Sequence, residues 1–141
     1  MTKANPTIND EKQIVDVENS VHNRESEQNL LISNQINHEL DLVGISAKNK
    51  GRVYLYEAIY LKIADPSLEE AAINEVANKR HLQYGTIAKV MQTAIKNAWY
   101  NTAIENWEKH YTANISSKKG LPTSAEFIHY YVDKINRITR T

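Results

Sequence analysis

From Leu30 onward, apolar residues return every three to four positions: Leu31 or Ile32, then Ile36, Leu40 and Val43 fall on one side of a helix, and Gly44 supplies its stop. The run Arg52 to Ala64 holds Val, Tyr and Ile, but thirteen residues without a turn signal exceed ordinary strand length. It is predicted to be a helix, with Tyr54, Leu55, Ala58, Ile59 and Ile63 covering the broad apolar face of a central bundle element. Asp65-Pro66 ends it, since proline lacks an amide proton and restricts the residue before it. Ser67-Leu-Glu-Glu then reads as a capping box, with Ser67 as the cap and Glu70 reaching back, and a helix to Lys79 presents Leu68, Ala72, Val76 and Ala77 inward.

After a polar connection, Arg80 to Gln83, a longer helix is expected over Gly85 to Tyr100, with Ile87, Val90, Met91, Ala94, Ile95, Ala98 and Trp99 inward. A weaker helix follows around Ile104 and Trp107, then a loop from Ser116 to Gly120. Pro122-Thr123 introduces a last helix lined by Phe127, Ile128, Tyr131, Val132, Ile135 and Ile138. The pattern predicts an all-α domain of six helices containing a helix-turn-helix.

Upstream the pattern fades. Residues 1–28 are rich in Asn, Glu, Gln and Ser, and the aliphatics Ile14, Val15, Val17 and Val21 are too few to offset the entropy of ordering them. An acidic, mostly disordered arm is expected there, in which Glu11 to His22 could form a short helix because Ile14, Val17 and Val21 share a face. Residues 29–141 form the folded domain. The chain's 141 residues suit a single core, and zero cysteines leave stability to packing alone. The net charge of zero hides a division: residues 1–40 carry three basic against seven acidic groups, a net of −4, so residues 41–141 carry +4. Such asymmetry is a weak pointer to a nucleic-acid partner.

No window approaches a membrane span of roughly 18 apolar residues, and the opening MTKANPTINDEKQ lacks a signal peptide's apolar stretch, so a cytoplasmic location away from the membrane is expected. Gly-x-Gly-x-x-Gly, Gly-Lys-Ser/Thr and Gly-x-Ser-x-Gly motifs are all absent. The five histidines are scattered, none placed with a second ligand at metal-binding spacing, and acidic pairs such as Glu69-Glu70 or Glu105 with Glu108 read as solvated helix surface. No enzyme, cofactor or metal is expected.

What remains is the pair of helices in residues 67–100, joined by a short turn. Ala77 is small where the helices approach, Leu82 is expected to plug the turn, and Ile87 with Val90 would anchor the second helix on the first. The opposite face gathers Thr86, Lys89, Gln92, Thr93 and Lys96 within about a third of the circumference. In a major groove, Lys suits guanine edges, Gln adenine edges and Thr either base type, while Lys79, Arg80 and His81 in the turn would meet phosphates. Any surface helix shows similar residues outward, so this face alone leaves DNA binding and a plain αα-hairpin equally open. Arg80 stands where such motifs are usually apolar, and no arginine lies on the reading face.

Residues 44–59, Gly-Ile-Ser-Ala-Lys-Asn-Lys-Gly-Arg-Val-Tyr-Leu-Tyr-Glu-Ala-Ile, resemble the opening of the C-terminal effector domain of the stage zero sporulation protein A family. Gly44, Ala47, Lys50, Gly51, Tyr54, Leu55, Glu57, Ala58 and Ile59 carry the likeness. It resumes at Ala94-Ile95, Ala98-Trp99, Pro122-Thr123, Glu126-Phe127-Ile128 and Asp133-Lys134, covering about residues 40–138. The resemblance implies a six-helix DNA-binding transcription-factor domain whose fourth helix enters the major groove. It also implies a sigma-subunit contact of RNA polymerase around the fifth helix, residues 101–115, where Trp107 and Tyr111 are candidates, core packing being the other role open to them.

Three departures stand out. An acidic arm occupies the place of the family's phosphoacceptor receiver domain, so phosphorelay control is not expected of this chain. The loop at Asp65 to Leu68 is shorter than in the family. The family's Arg-x-Glu-Arg pattern in the recognition helix falls here on Thr86, Ala88 and Lys89, and only Lys89 keeps its charge. The sequence therefore predicts a DNA-binding regulator with a changed target, its arm competing for the basic face or aiding homodimerisation. The alternative is an interaction module that antagonises a related regulator or binds the sigma subunit without touching DNA.

Overall fold

Helical spacing governs the whole described chain. The computed structural model describes residues 6–115 and 120–140, with side chains from residue 23 onward except at 69 and 70. Among these residues are α1 (Pro6–Leu42), α2 (Lys50–Ala64), a 3-10 segment (Pro66–Ala71), α3 (Ala72–Arg80), α4 (Tyr84–Asn101), α5 (Ile104–His110) and α6 (Ser124–Thr139), and no strand. The all-α, six-helix architecture is as expected. None of the described helices is long and apolar enough to cross a membrane. Most of the Ser116–Gly120 loop lies outside the described residues.

The first helix is much longer than the apolar stripe that defines it. α1 runs unbroken through residue 28, where the sequence places the boundary of a disordered arm, because no glycine or proline interrupts residues 7–43. Tertiary packing begins only at Ile32: side chains 23–31 are exposed, while Ile36, Leu40 and Val43 are buried. Of the two candidates, Ile32 faces the core and Leu31 is 47% exposed. The face shared by Ile14, Val17 and Val21 lies outside the described side chains.

Past Leu42 the chain must reverse, and Gly44 does so at φ 80°, with Gly44 N–H bonded to Asp41 O and Ile45 N–H to Leu40 O at 3.0 Å each. This is the left-handed helix ending that glycine favours. Arg52, buried on α2, clamps the same corner. Its guanidinium donates to the Ile45 carbonyl at 2.5 Å and the Asn37 carbonyl at 3.1 Å, and pairs with Asp41 at 2.8 Å. Replacing Arg52 with methionine keeps the stem but leaves the Ile45 carbonyl without its donor. A loss of about 1–2 kcal/mol is expected, read as a lower urea midpoint at unchanged slope. An unaltered midpoint would show that the corner holds without the clamp.

Ser67 is not the cap residue that the sequence suggests. Asp65 is the cap instead: its carboxylate accepts from the Ser67 amide at 3.1 Å and the Ser67 hydroxyl at 2.5 Å, ahead of Pro66 at the first helical position. An aspartate directly before a proline is the stronger start signal. Six residues of 3-10 turn follow, and α3 begins only at Ala72. Its inner face is Ala72, Ile73, Val76 and Ala77, with Leu68 only half-buried; Glu70 lies outside the described side chains.

α2 lies at the centre, touching α1, α3, α4 and α6 and burying Tyr54, Leu55, Ala58 and Ile59. α6 closes the other side with Phe127, Ile128, Tyr131, Val132 and Ile135, while Ile138 at its end is 42% exposed. Trp107 and Tyr111 are 1% and 5% exposed, among Trp99, Phe127, Tyr130 and Tyr131 at ring separations of 4.5–6.2 Å. The Trp107 indole donates to the Ala98 carbonyl at 3.4 Å, fastening α5 to the end of α4. Both aromatics are core, so neither is available to a polymerase subunit. Burial pushes the Tyr111 and Tyr131 phenols up from their ordinary range. Lys134 joins α6 to α1 and α5, pairing with buried Glu39 at 2.5 Å and donating to the His110 carbonyl at 2.9 Å.

Candidate nucleic-acid interface

α3 is nine residues and α4 eighteen, joined by three residues. The turn is sharp because His81 adopts φ 56°, ψ 40°, the left-handed region a non-glycine residue seldom enters. His81 N–H bonds to Asn78 O at 3.3 Å and Leu82 N–H to Ala77 O at 3.0 Å, so the last carbonyls of α3 are satisfied as the chain turns. Ala77 is buried at this crossing as expected. Leu82 is not the plug of the turn: it is 42% exposed, because the hydrogen-bonded backbone already makes the bend.

Three contacts from outside the pair set where α4 stands. First, α2 crosses the middle of α4 at Gly51, where a side-chain carbon would lie 2.5 Å from Ala94 Cβ and 2.6 Å from the Val90 carbonyl oxygen. Only glycine permits that approach. Asn49 caps the same end of α2, its side chain accepting from Gly51 N–H at 2.8 Å, and Lys48 and Lys50 flank it in the solvent.

Second, Gln92 ties α4 to α6. Its amide nitrogen donates to the Pro122 carbonyl at 2.9 Å, and its oxygen accepts from Ser124 N–H at 2.8 Å and the Ser124 hydroxyl at 3.1 Å. The amide oxygen and nitrogen that a bidentate adenine contact would use are bonded to the start of α6. Third, Arg80 folds back on α2. Its guanidinium makes a two-pronged pair with Glu57, one prong Nε to Oε2 at 3.0 Å, and its carbon lies 4.9 Å from the centre of the Tyr54 ring. The Glu57 bond holds the guanidinium still more firmly in its charged form. Arg80 is thereby balanced by a carboxylate while its side chain stays at the surface.

The rest of the predicted set stays outside. Thr86, Lys89, Thr93 and Lys96 are exposed along α4, and Lys79 and His81 are exposed beside the turn. α4 contains no Asp or Glu, so no like-helix carboxylate offsets Lys89 or Lys96. Spacing along α4 fixes the outward row, whereas the ties of Gln92 and Arg80 depend on partners distant in sequence. The nearest warning for Arg80 was its unusual position in such motifs.

A short helix, a left-handed turn and a longer helix with a cationic, acid-free outer row define a helix-turn-helix effector domain. Residues 36–135 match the family described as Sporulation initiation factor Spo0A C terminal, and the chain belongs to that family of DNA-binding domains of transcription regulation in sporulation. It is a regulatory family and not one of enzymes.

Proposed function

We propose that this chain is a sequence-specific transcription regulator that lays α4 in the major groove of double-stranded DNA. The observation that carries the reading is the exposed row Thr86, Lys89, Thr93 and Lys96 on a helix without acidic residues. Lys89 is the guanine reader, being the cation of the row that lies between two threonines, and Thr93 and Thr86 meet bases or thymine methyls on either side. Lys96, Lys79 and His81 contact the backbone; Lys48 and Lys50 extend the cationic border at the Gly51 crossing. Gln92 and Arg80 act by holding α4 in place. With lysine where a bidentate arginine stands in the related pattern, the target differs from the family's.

Selection from random duplexes, followed by salt titration on the enriched site, tests this. An enriched motif is expected, and about four phosphate contacts should give a slope of log K against log salt near −3 to −4. No enrichment at low salt would overturn the reading in favour of the interaction module. One observation supports that second reading: Tyr100 and Ile104 are 66% and 45% exposed at the corner between α4 and α5. A sigma-subunit contact would fall to these two residues.

A further inference from the structure

Two amide side chains stand in the interior of α4, Gln92 and Asn97, and the fold treats them differently. Gln92 is bonded to Pro122 and Ser124 at the start of α6. Asn97 is exposed, and among the described residues its amide makes no hydrogen bond. Asparagine is a poor interior helix residue, because its short polar side chain competes for the backbone. Asn97 caps neither end of α4, so it does nothing for the helix that an alanine would not do better.

Its position gives it a use. At about 100° per residue, Thr93 stands at the middle of the exposed arc of α4, with Lys89 one turn before it and Asn97 one turn after it, about 40° to either side. Lys96 lies further round, about 60° from Thr93 on the Lys89 side. A long lysine reaches a duplex from the flank of a helix, whereas a short asparagine reaches a base only from near the line that enters the groove. Along the axis, Lys89 and Asn97 are about 12 Å apart at about 1.5 Å per residue, the span of roughly three to four base pairs at about 3.4 Å each.

A carboxamide offers one donor group and one acceptor side by side. In the major groove adenine presents the matching pair, the N7 acceptor and the N6 amino donor. Guanine shows two acceptors there and would leave the amide oxygen unpaired.

We propose that Asn97 reads an adenine, its amide nitrogen donating to N7 and its oxygen accepting from the N6 amino group, roughly three to four base pairs from the guanine read by Lys89. The inference rests on the DNA-binding reading and deepens it: with Gln92 tied to α6, the amide contact falls to Asn97.

Selection from random duplexes is run with the full chain, with Asn97→Ala and with Lys89→Ala. The parent motif should hold an adenine at that distance from its guanine. Asn97→Ala should lose the adenine and keep the guanine, Lys89→Ala the reverse, and neither should lower Tm appreciably, since both side chains are exposed. On the parent's selected site, 7-deazaadenine at that position removes the N7 acceptor. It should weaken the parent about fivefold or more and leave the affinity of Asn97→Ala unchanged. A motif without that adenine would overturn the inference, as would one unchanged by Asn97→Ala while Lys89→Ala erases the guanine; either result leaves the DNA-binding reading standing. So would 7-deazaadenine acting alike on parent and variant, because N7 would then not be the partner of Asn97. No enriched motif at all would overturn the DNA-binding reading and this inference with it.

Discussion

Alanine at position 51 should lower stability by about 2 kcal/mol and weaken DNA binding in parallel. The added methyl would sit 2.5 Å from Ala94 Cβ and 2.6 Å from the Val90 carbonyl oxygen. The second neighbour is main chain and cannot rotate aside, so α2 and α4 must separate. Overpacking of this kind costs about 1–3 kcal/mol, and the upper end applies where the added methyl meets main chain that cannot give way. Alanine's better helix propensity returns at most about 1 kcal/mol. Urea unfolding measures the difference. Ala94→Gly relieves one of the two close approaches at its own helix-propensity cost of about 1 kcal/mol, so the double variant should lose less than the sum of the two single changes. A single variant as stable as the parent would mean that the crossing is looser than described.

Lys89→Ala should erase the guanine preference at one position of the selected motif and weaken binding to the selected site about 5- to 150-fold, the equivalent of roughly 1–3 kcal/mol for a base contact. Lys96→Ala should behave differently. It should leave the motif intact, weaken all sequences alike and make the salt slope shallower by about 0.9. Both side chains are exposed, so neither change should move Tm appreciably. The contrast separates reading from holding: a motif unaffected by Lys89→Ala would remove α4 from base recognition even if binding persisted. Gln92→Ala gives a third signature, lost stability together with lost affinity, because its bonds run to Pro122 and Ser124 within the protein.

The two kinds of residue in the outward row show how far a sequence carries. Lys89 and Gln92 lie three positions apart on one helix and look equivalent by spacing. Lys89 is exposed, whereas Gln92 is fixed to Ser124, 32 residues along the chain. Arg80 looked like a phosphate contact until Glu57, 23 residues earlier, took both its prongs. Trp107 and Tyr111 offered an exposed or a buried role, and the ring cluster from α6 decided for burial. Ser67 lost the capping role to Asp65 through local chemistry that was readable, since Asp65 stands directly before Pro66.

Helix number, the inner stripes of α2, α4 and α6, the glycine stop after α1 and the outward row of α4 followed from the amino-acid order. Each depends on neighbours three or four residues away, which is the range over which a helix repeats. The choice of which polar residues remain for a partner was made only in three dimensions. A side chain's hydrogen-bonding capacity is finite, and whether Gln92, Arg80 or Lys89 spends it inside the protein depends on helices that the chain brings together from distant segments.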